Sequence, residues 1–252
     1  YEMTSSLVGS EMCIRDSKAQ ERKRIAFSAM LWYTSDRKAK VYRNTRKGRG
    51  ETVMMRHRLQ HWEQQTLLWF QEHLRRSWLT AAMKIATFLG NGGILWLTAC
   101  ACLLVRQQTR RAALTALLSL VFSALVCNAL LKNLVERARP FDKIPGLQFL
   151  IRKPHDFSFP SGHTSSSFAV ATVFLATLPL WFGLTALGIA AVIAFSRMYL
   201  GVHYPSDVLC GMVLGILFGL AALIVLPLLL EIPWLPETVR AWVGTGMVSA
   251  NL

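Results

Sequence analysis

Three short polar clusters punctuate a largely apolar chain: KNLVERARP at 132–140, FPSGH at 159–163 and SRMYLGVHYPSD at 196–207. Their cations Lys132, Arg139 and Arg197 suit the oxygens of a phosphoryl group. A guanidinium fork binds two such oxygens at once, and an ammonium adds a compact positive charge. Ser161-Gly162-His163 stands at the entrance of a long uncharged run. A helix opening there points unpaired N–H groups and the positive end of its dipole at an anion. Gly162 has no side chain to keep the backbone away from that anion, and the Ser161 hydroxyl adds a donor.

Displacement at phosphorus also needs a nucleophile and a proton donor for the leaving oxygen, and the clusters hold two histidines. His203 has Asp207 four residues on, close enough to accept an imidazole N–H, fix the tautomer and leave the other nitrogen free to attack. His163 then takes the part of general acid. Pro205 suits the first turn of a helix and places Asp207 near that helix's N-terminus. The candidate catalytic residues are therefore His203, His163 and Asp207. The candidate phosphate ligands are Lys132, Arg139, Ser161, Gly162 and Arg197.

The rest of the chain must bring these clusters together. Of 252 residues, 53% are hydrophobic and 17% charged, and mean hydropathy is +0.35. Four uncharged blocks stand out, at 85–105, 112–131, 164–195 and 208–230. About 20 apolar residues cross a bilayer as a helix, and these blocks are too long and uniform for barrel strands. The fold class is all-α, a polytopic membrane bundle of about six helices. Block 164–195 is too long for one crossing and is expected to turn back near Pro179 and Gly183. Asn91-Gly92-Gly93 interrupts block 85–105, which is one broken span or parts of two helices. Gly211, Gly215 and Gly219, spaced by four, allow close helix packing. Two crossings between 164 and 198 return the chain to the face it left, so all three clusters share one membrane surface.

Reduced to pattern, the clusters read K-x6-RP, PSGH and SR-x5-H-x3-D. This resembles the type 2 phosphatidic acid phosphatase superfamily, which also includes vanadium haloperoxidases and bacterial undecaprenyl pyrophosphate phosphatases. The likeness covers roughly residues 62–230, and no motif position departs from it. It implies a phosphohistidine on His203, protonation by His163 and hydrolysis of the intermediate by water. It also implies a lipid phosphate or pyrophosphate substrate, with phosphatidic acid, phosphatidylglycerophosphate and undecaprenyl pyrophosphate as candidates. The last is favoured, because short bacterial members commonly act on it. The bacterial plasma membrane is the implied location. Alternatives are a vanadate-dependent haloperoxidase-like oxidoreductase and a non-catalytic lipid-binding protein.

Other features carry less chemistry. The net charge of +14 does not indicate nucleic acid. Residues 1–60 hold 14 Lys/Arg and 6 Asp/Glu, and the remaining cations border apolar blocks. Arg106, Arg110 and Arg111 crowd one short loop, which the positive-inside rule places in the cytoplasm and the polar clusters on the extracytoplasmic face. The carboxylates Glu136, Asp142, Asp156 and Asp207 are scattered among bases, so no metal or cofactor is expected. Arg137 reads as an interfacial charge, and Arg152, Lys153, His155 and Asp156 as a solvated loop. The five cysteines read as small buried hydrophobes.

Four regions are expected. SSLVGSEMCIRDS at 5–17 resembles a translated sequencing adapter, which makes 1–53 a non-native or disordered basic tail with the natural start at Met54 or Met55. Residues 54–76 read as an interfacial amphipathic segment. Residues 77–230 form the phosphatase membrane domain, and 231–252 a C-terminal tail.

Overall fold

The computed structural model describes residues 54–55, 57–233 and 235–243, and every regular element among them is helical. The expected tail 1–53, with its adapter-like stretch, lies outside the described residues. The chain divides into two units, Tyr1–Gln60 and His61–Leu252. In the first, residues 54–55 and 57–60 are helical. The second holds the bundle.

The second unit opens with α1 (61–69), which passes into a π-helical turn at Phe70–Leu74. α2 (Ser77–Leu89) and α3 (Ile94–Val105) follow one another across a break, bent by 54°. The break has a stereochemical cause. Gly92 and Gly93 take φ of 57° and 71°, a region where a Cβ clashes with the backbone. α4 (Gln107–Ser123) runs through a π-helical stretch (Ala124–Leu131) into α5 (Lys132–Val135), and α6 (Pro140–Lys143) follows. Then come α7 (Gly162–Thr177), α8 (Leu180–Tyr199), α9 (Pro205–Leu230) and the short α10 (Glu237–Val243). The block 164–195 does split, between Thr177 and Leu180, where Pro179 can neither donate an N–H nor continue α7.

α7 is the centre of the bundle. Ala169, Val170, Ala171 and Val173 are fully buried, and Phe168 and Phe174 join Trp96 and Ile193 in the main core cluster. Hydroxyls tie it sideways. Ser165 pairs with Ser123 of α4 at 2.9 Å, and Trp96 of α3 donates to Ser167 at 2.9 Å. Such bonds are favourable in hydrocarbon, where water offers no alternative partner. α9 meets α7 through its glycine stripe. A Cβ at Gly215 would lie 2.4 Å from the Ser165 carbonyl oxygen, and one at Gly211 2.7 Å from that of Ser161.

The opposite face of α9 exposes Leu209, Val213, Leu217, Leu220, Ile224 and Leu228. A continuous apolar face of this kind belongs in lipid. Among the described residues, three helical runs are long and apolar enough to span a membrane, and a fourth if α2 and α3 count as one. The chain is an integral membrane protein. Because α7 and α8 go out and back, the α8–α9 turn ends beside the segment that precedes α7. Ser161 N–H donates to the Asp207 carbonyl at 3.1 Å, and Leu150 N–H to that of Leu200 at 3.3 Å.

The α7–α9 contact leaves no room for one methyl. Gly215→Ala should lower stability by about 1–3 kcal/mol, since the obstacle is backbone. Thermal unfolding in detergent reads this directly; an unchanged melting temperature would mean the helices do not meet at this distance.

Candidate active site

Each polar cluster is presented by a helix end. Glu136 closes α5 with φ of 48°, the left-handed cap conformation that glycine usually supplies. The chain thereby doubles back from Lys132 toward Arg139. Arg139 precedes Pro140, is extended as proline requires, and serves as N-cap of α6. Arg197 lies in the last turn of α8, where a cation meets the negative end of the dipole. Gly201, at φ 74°, turns the chain so that the N–H groups of Val202 and His203 donate to the Arg197 carbonyl. His203 therefore sits beside Arg197 and just ahead of α9.

Lys132, Arg139, Gly162, His163, Arg197 and His203 all line one cavity of about 1130 Å³. Ser161 and Asp207 lie behind its wall, both fully buried. The Ser161 hydroxyl accepts from Thr164 at 2.9 Å. Gly162 also has a protein neighbour that its sequence context did not announce. A Cβ there would fall 2.5 Å from Asn128 Oδ1, so the glycine makes room for a carboxamide from the π-helical stretch. His163 Nε2 faces Asn91 Oδ1 at 2.8 Å, in the break between α2 and α3. The missing side chain of Gly90 accommodates the same imidazole, since a Cβ would stand 2.9 Å from His163 Cδ2.

His203 is enclosed on both sides. Its Nε2 lies 3.3 Å from Arg139 Nη1, and its Nδ1 lies 3.6 Å from Asp207 Oδ2. Arginine can only donate, so Nε2 accepts and the ring hydrogen belongs on Nδ1, toward Asp207. At 3.6 Å that hydrogen is beyond bonding range, and Nδ1 has no other partner. Burial pushes His203 down to about 4; Asp207 offsets this only in part, and Arg197 and Arg139 add to it. At neutral pH the imidazole is uncharged and carries a lone pair.

Two residues first read as unrelated charges are built into this region. Asp156 bridges the cations. Lys132 Nζ donates to its Oδ2 at 2.5 Å, and Arg139 Nη2 to its Oδ1 at 2.6 Å. Burial raises its carboxyl, but the hydrogen bond and charge of Lys132, and then Arg139, outweigh that and hold it below the usual carboxylate range. Arg137 is no loose interfacial charge. It pairs with Asp207 at 2.5 Å and with the fully buried Glu63 of α1 at 2.6 Å. Sequence spacing could not find these contacts, because Asp156 sits in an irregular loop and Glu63 is 74 residues from Arg137. Arg197 donates from Nη1 to Thr87 Oγ1, yet its buried Nε has no partner. A buried donor with no acceptor is costly, and an anion oxygen in the cavity is the natural one.

The far wall of the cavity is different in kind. Phe88, Leu97, Leu117, Leu120 and Val121 line it, from α2, α3 and α4. The arrangement can hold an anion among cations while an apolar chain lies against the bundle.

Asp156 occupies both Lys132 and Arg139 and stays ionised through the neutral range, so it competes with any anion drawn to them. Asp156→Asn should tighten inhibition by orthovanadate roughly 5-fold. It should also lower the melting temperature of the ligand-free protein, by leaving like charges uncompensated. Weaker inhibition would mean that the carboxylate assists anion binding.

Comparison with known proteins converges on the same region. The PAP2 superfamily profile matches residues 112–229. An undecaprenyl-diphosphatase of Sulfolobus acidocaldarius is 35% identical over 133 residues, 52% of this chain and 64% of its own length. This chain thus spans less than two thirds of that relative. A decaprenylphosphoryl-5-phosphoribose phosphatase of Mycolicibacterium smegmatis is 33% identical over 53% of this chain and 71% of its own length. Among solved structures, a transmembrane PAP2 type phosphatidylglycerolphosphate phosphatase from Bacillus subtilis superposes with a TM-score of 0.55 at 28% identity. The match covers 65% of this chain and 84% of that one. With the profile laid over every position from Lys132 to Asp207, and a third of the residues shared across most of the mycobacterial protein, the chain belongs to the PAP2 superfamily.

Proposed function

We propose that this protein is a lipid phosphatase that hydrolyses a lipid phosphate or diphosphate through a phosphohistidine, without a metal. One observation carries the proposal: the motif imidazoles His163 and His203 and the motif cations Lys132, Arg139 and Arg197 line a single cavity that apolar side chains line as well. Lys132, Arg139 and Arg197 bind the phosphoryl oxygens, and the N-terminal turn of α7 at Gly162 adds the helix dipole. The lone pair of His203 Nε2 attacks phosphorus and forms the N–P bond. The P–O bond to the lipid breaks, and the leaving oxygen takes a proton from His163. Water then attacks the phosphohistidine, gives its proton to His163 and releases orthophosphate, which regenerates both histidines.

In the reacting complex Asp207 accepts the Nδ1 hydrogen and supports the positive character the ring acquires. Its 3.6 Å separation from Nδ1 is of the kind that closes when substrate binds. Asn91, opposite His163 Nε2, orients the acid. The three cations provide the charge that metals provide elsewhere, and among the described residues no three of His, Cys, Asp and Glu group as metal ligands.

The apolar wall favours a substrate with a long hydrocarbon chain, and the relative named undecaprenyl-diphosphatase favours a polyprenyl diphosphate. The leaving group is then the polyprenyl monophosphate. The arginine-bearing turn after α3 lies at the opposite end of that helix from the cavity. If it faces the cytoplasm of a bacterial cell, the site opens on the extracytoplasmic side of the plasma membrane.

Purified protein in detergent with excess chelator should release orthophosphate from undecaprenyl diphosphate faster than from phosphatidic acid or phosphatidylglycerophosphate. His203→Ala should reduce release by about 10⁴-fold or more. Activity that survives His203→Ala and vanishes with chelator contradicts the mechanism. A second outcome concerns pH. Acid protonates Nε2 and removes the nucleophile, so the acid limb of phosphoenzyme formation should fall through about 4. Rapid-quench measurements read this limb; a fall centred near the ordinary histidine value would mean that His203 is not the buried base described here.

A further inference from the structure

Arg137 does not line the cavity, yet it is engaged as closely as any residue that does. Its Nη1 donates to Asp207 Oδ1 at 2.5 Å and to Ser206 Oγ at 2.7 Å, and its Nη2 to Glu63 Oε2 at 2.6 Å. The guanidinium lies over the Tyr204 ring, 4.0 Å from its centroid. Glu63 in turn accepts from the Ser206 hydroxyl and, at 3.3 Å, from the Ser206 N–H. Both carboxylates are fully buried. One planar fork thus joins α1 to the first turn of α9.

The two oxygens of Asp207 have separate tasks. Oδ1 is taken by Arg137. Oδ2 accepts from Ser158 Oγ at 2.5 Å and from the Tyr204 N–H at 3.0 Å, and is the oxygen that faces His203 Nδ1. Fixing Oδ1 removes rotation of the carboxylate and so determines where Oδ2 stands relative to the imidazole. Charge adds a second consequence. Arg137 with Asp207 alone is a neutral pair, which does little for an imidazole becoming positive. Glu63 restores one net negative charge behind the ring, in a buried setting that screens weakly.

We propose that Arg137 is a positioning residue for His203, acting through Asp207, and that Glu63 completes it by orienting the guanidinium and supplying the surplus charge. The inference rests on the reading of His203 as nucleophile. It goes beyond it by assigning work to two residues outside the three motifs.

Two conservative variants test it while avoiding a naked buried charge. Arg137→Lys keeps the positive charge but cannot bridge two carboxylates. Glu63→Gln keeps shape and removes charge. Each should lower kcat by about 10- to 100-fold, the usual range for residues that orient a reacting group from behind. KM and the inhibition constant for orthovanadate should stay within about twofold, since neither residue touches the cavity. The decisive comparison is Arg137→Lys with Asp207→Asn. If Arg137 acts through Asp207, the double variant is no slower than Asp207→Asn alone, whereas losses that multiply overturn the proposal. Should Arg137→Lys fail to fold, as judged by size-exclusion profile, the Glu63→Gln/Asp207→Asn pair gives the same test. His203→Ala run in parallel separates the two failures. If it stays active, the phosphohistidine reading falls; if it is inactive while Arg137→Lys and Glu63→Gln keep parental kcat, only this inference falls.

Discussion

Lys132, Arg139 and Arg197 are held around one cavity at the end of a membrane bundle, where repulsion between like charges is weakly screened. Much else in the site follows from that concentration of positive charge. Asp156 leans in from an irregular loop and bridges two of the three cations. His203 is uncharged at neutral pH because burial and the neighbouring guanidiniums disfavour a further cation. The buried Nε of Arg197 is left without an acceptor, which an anion oxygen would supply. An anion entering this cavity relieves repulsion already present in the folded chain, and that is the physical basis of the affinity for phosphate proposed above.

The site is polarised in layers. Cations face the cavity, His203 stands at its wall, and behind the ring lie Asp207, Arg137 and Glu63, a cluster with one surplus negative charge. The layers depend on backbone conformation as much as on side chains. Gly92 and Gly93 make the break between α2 and α3 and bring Asn91 to His163. The glycine stripe of α9 lets that helix approach α7 closely enough for Ser161 N–H to reach the Asp207 carbonyl. Glu136 accepts a left-handed conformation so that Lys132 and Arg139 can face the same space.

Much of this was legible in the sequence. Apolar block lengths announced the helices, Pro179 marked the turn between α7 and α8, and the spacing of the three clusters put the motif residues at helix ends on one surface. What escaped was whatever depended on distance in space. Asp156 gives no local sign that it will reach Lys132, 24 residues away. Glu63 looked like one more charge on an amphipathic helix, and only tertiary packing buries it against Arg137 and Ser206. Gly162 was legible as a glycine that must stay small, but its neighbour Asn128 was not, since nothing in an apolar run identifies the residue a helix will turn toward a loop. Patterns repeated along the chain report faces and ends; pairings between remote segments require the fold.

A structure of the protein with orthovanadate bound bears on the phosphohistidine mechanism more directly than any rate, because vanadate takes the trigonal-bipyramidal geometry of phosphoryl transfer. That mechanism predicts vanadium bonded to His203 Nε2, its equatorial oxygens held by Lys132, Arg139 and Arg197, and His163 opposite the nucleophile at the leaving position. Vanadate bound outside this cavity, or inside it but out of reach of His203, would contradict it.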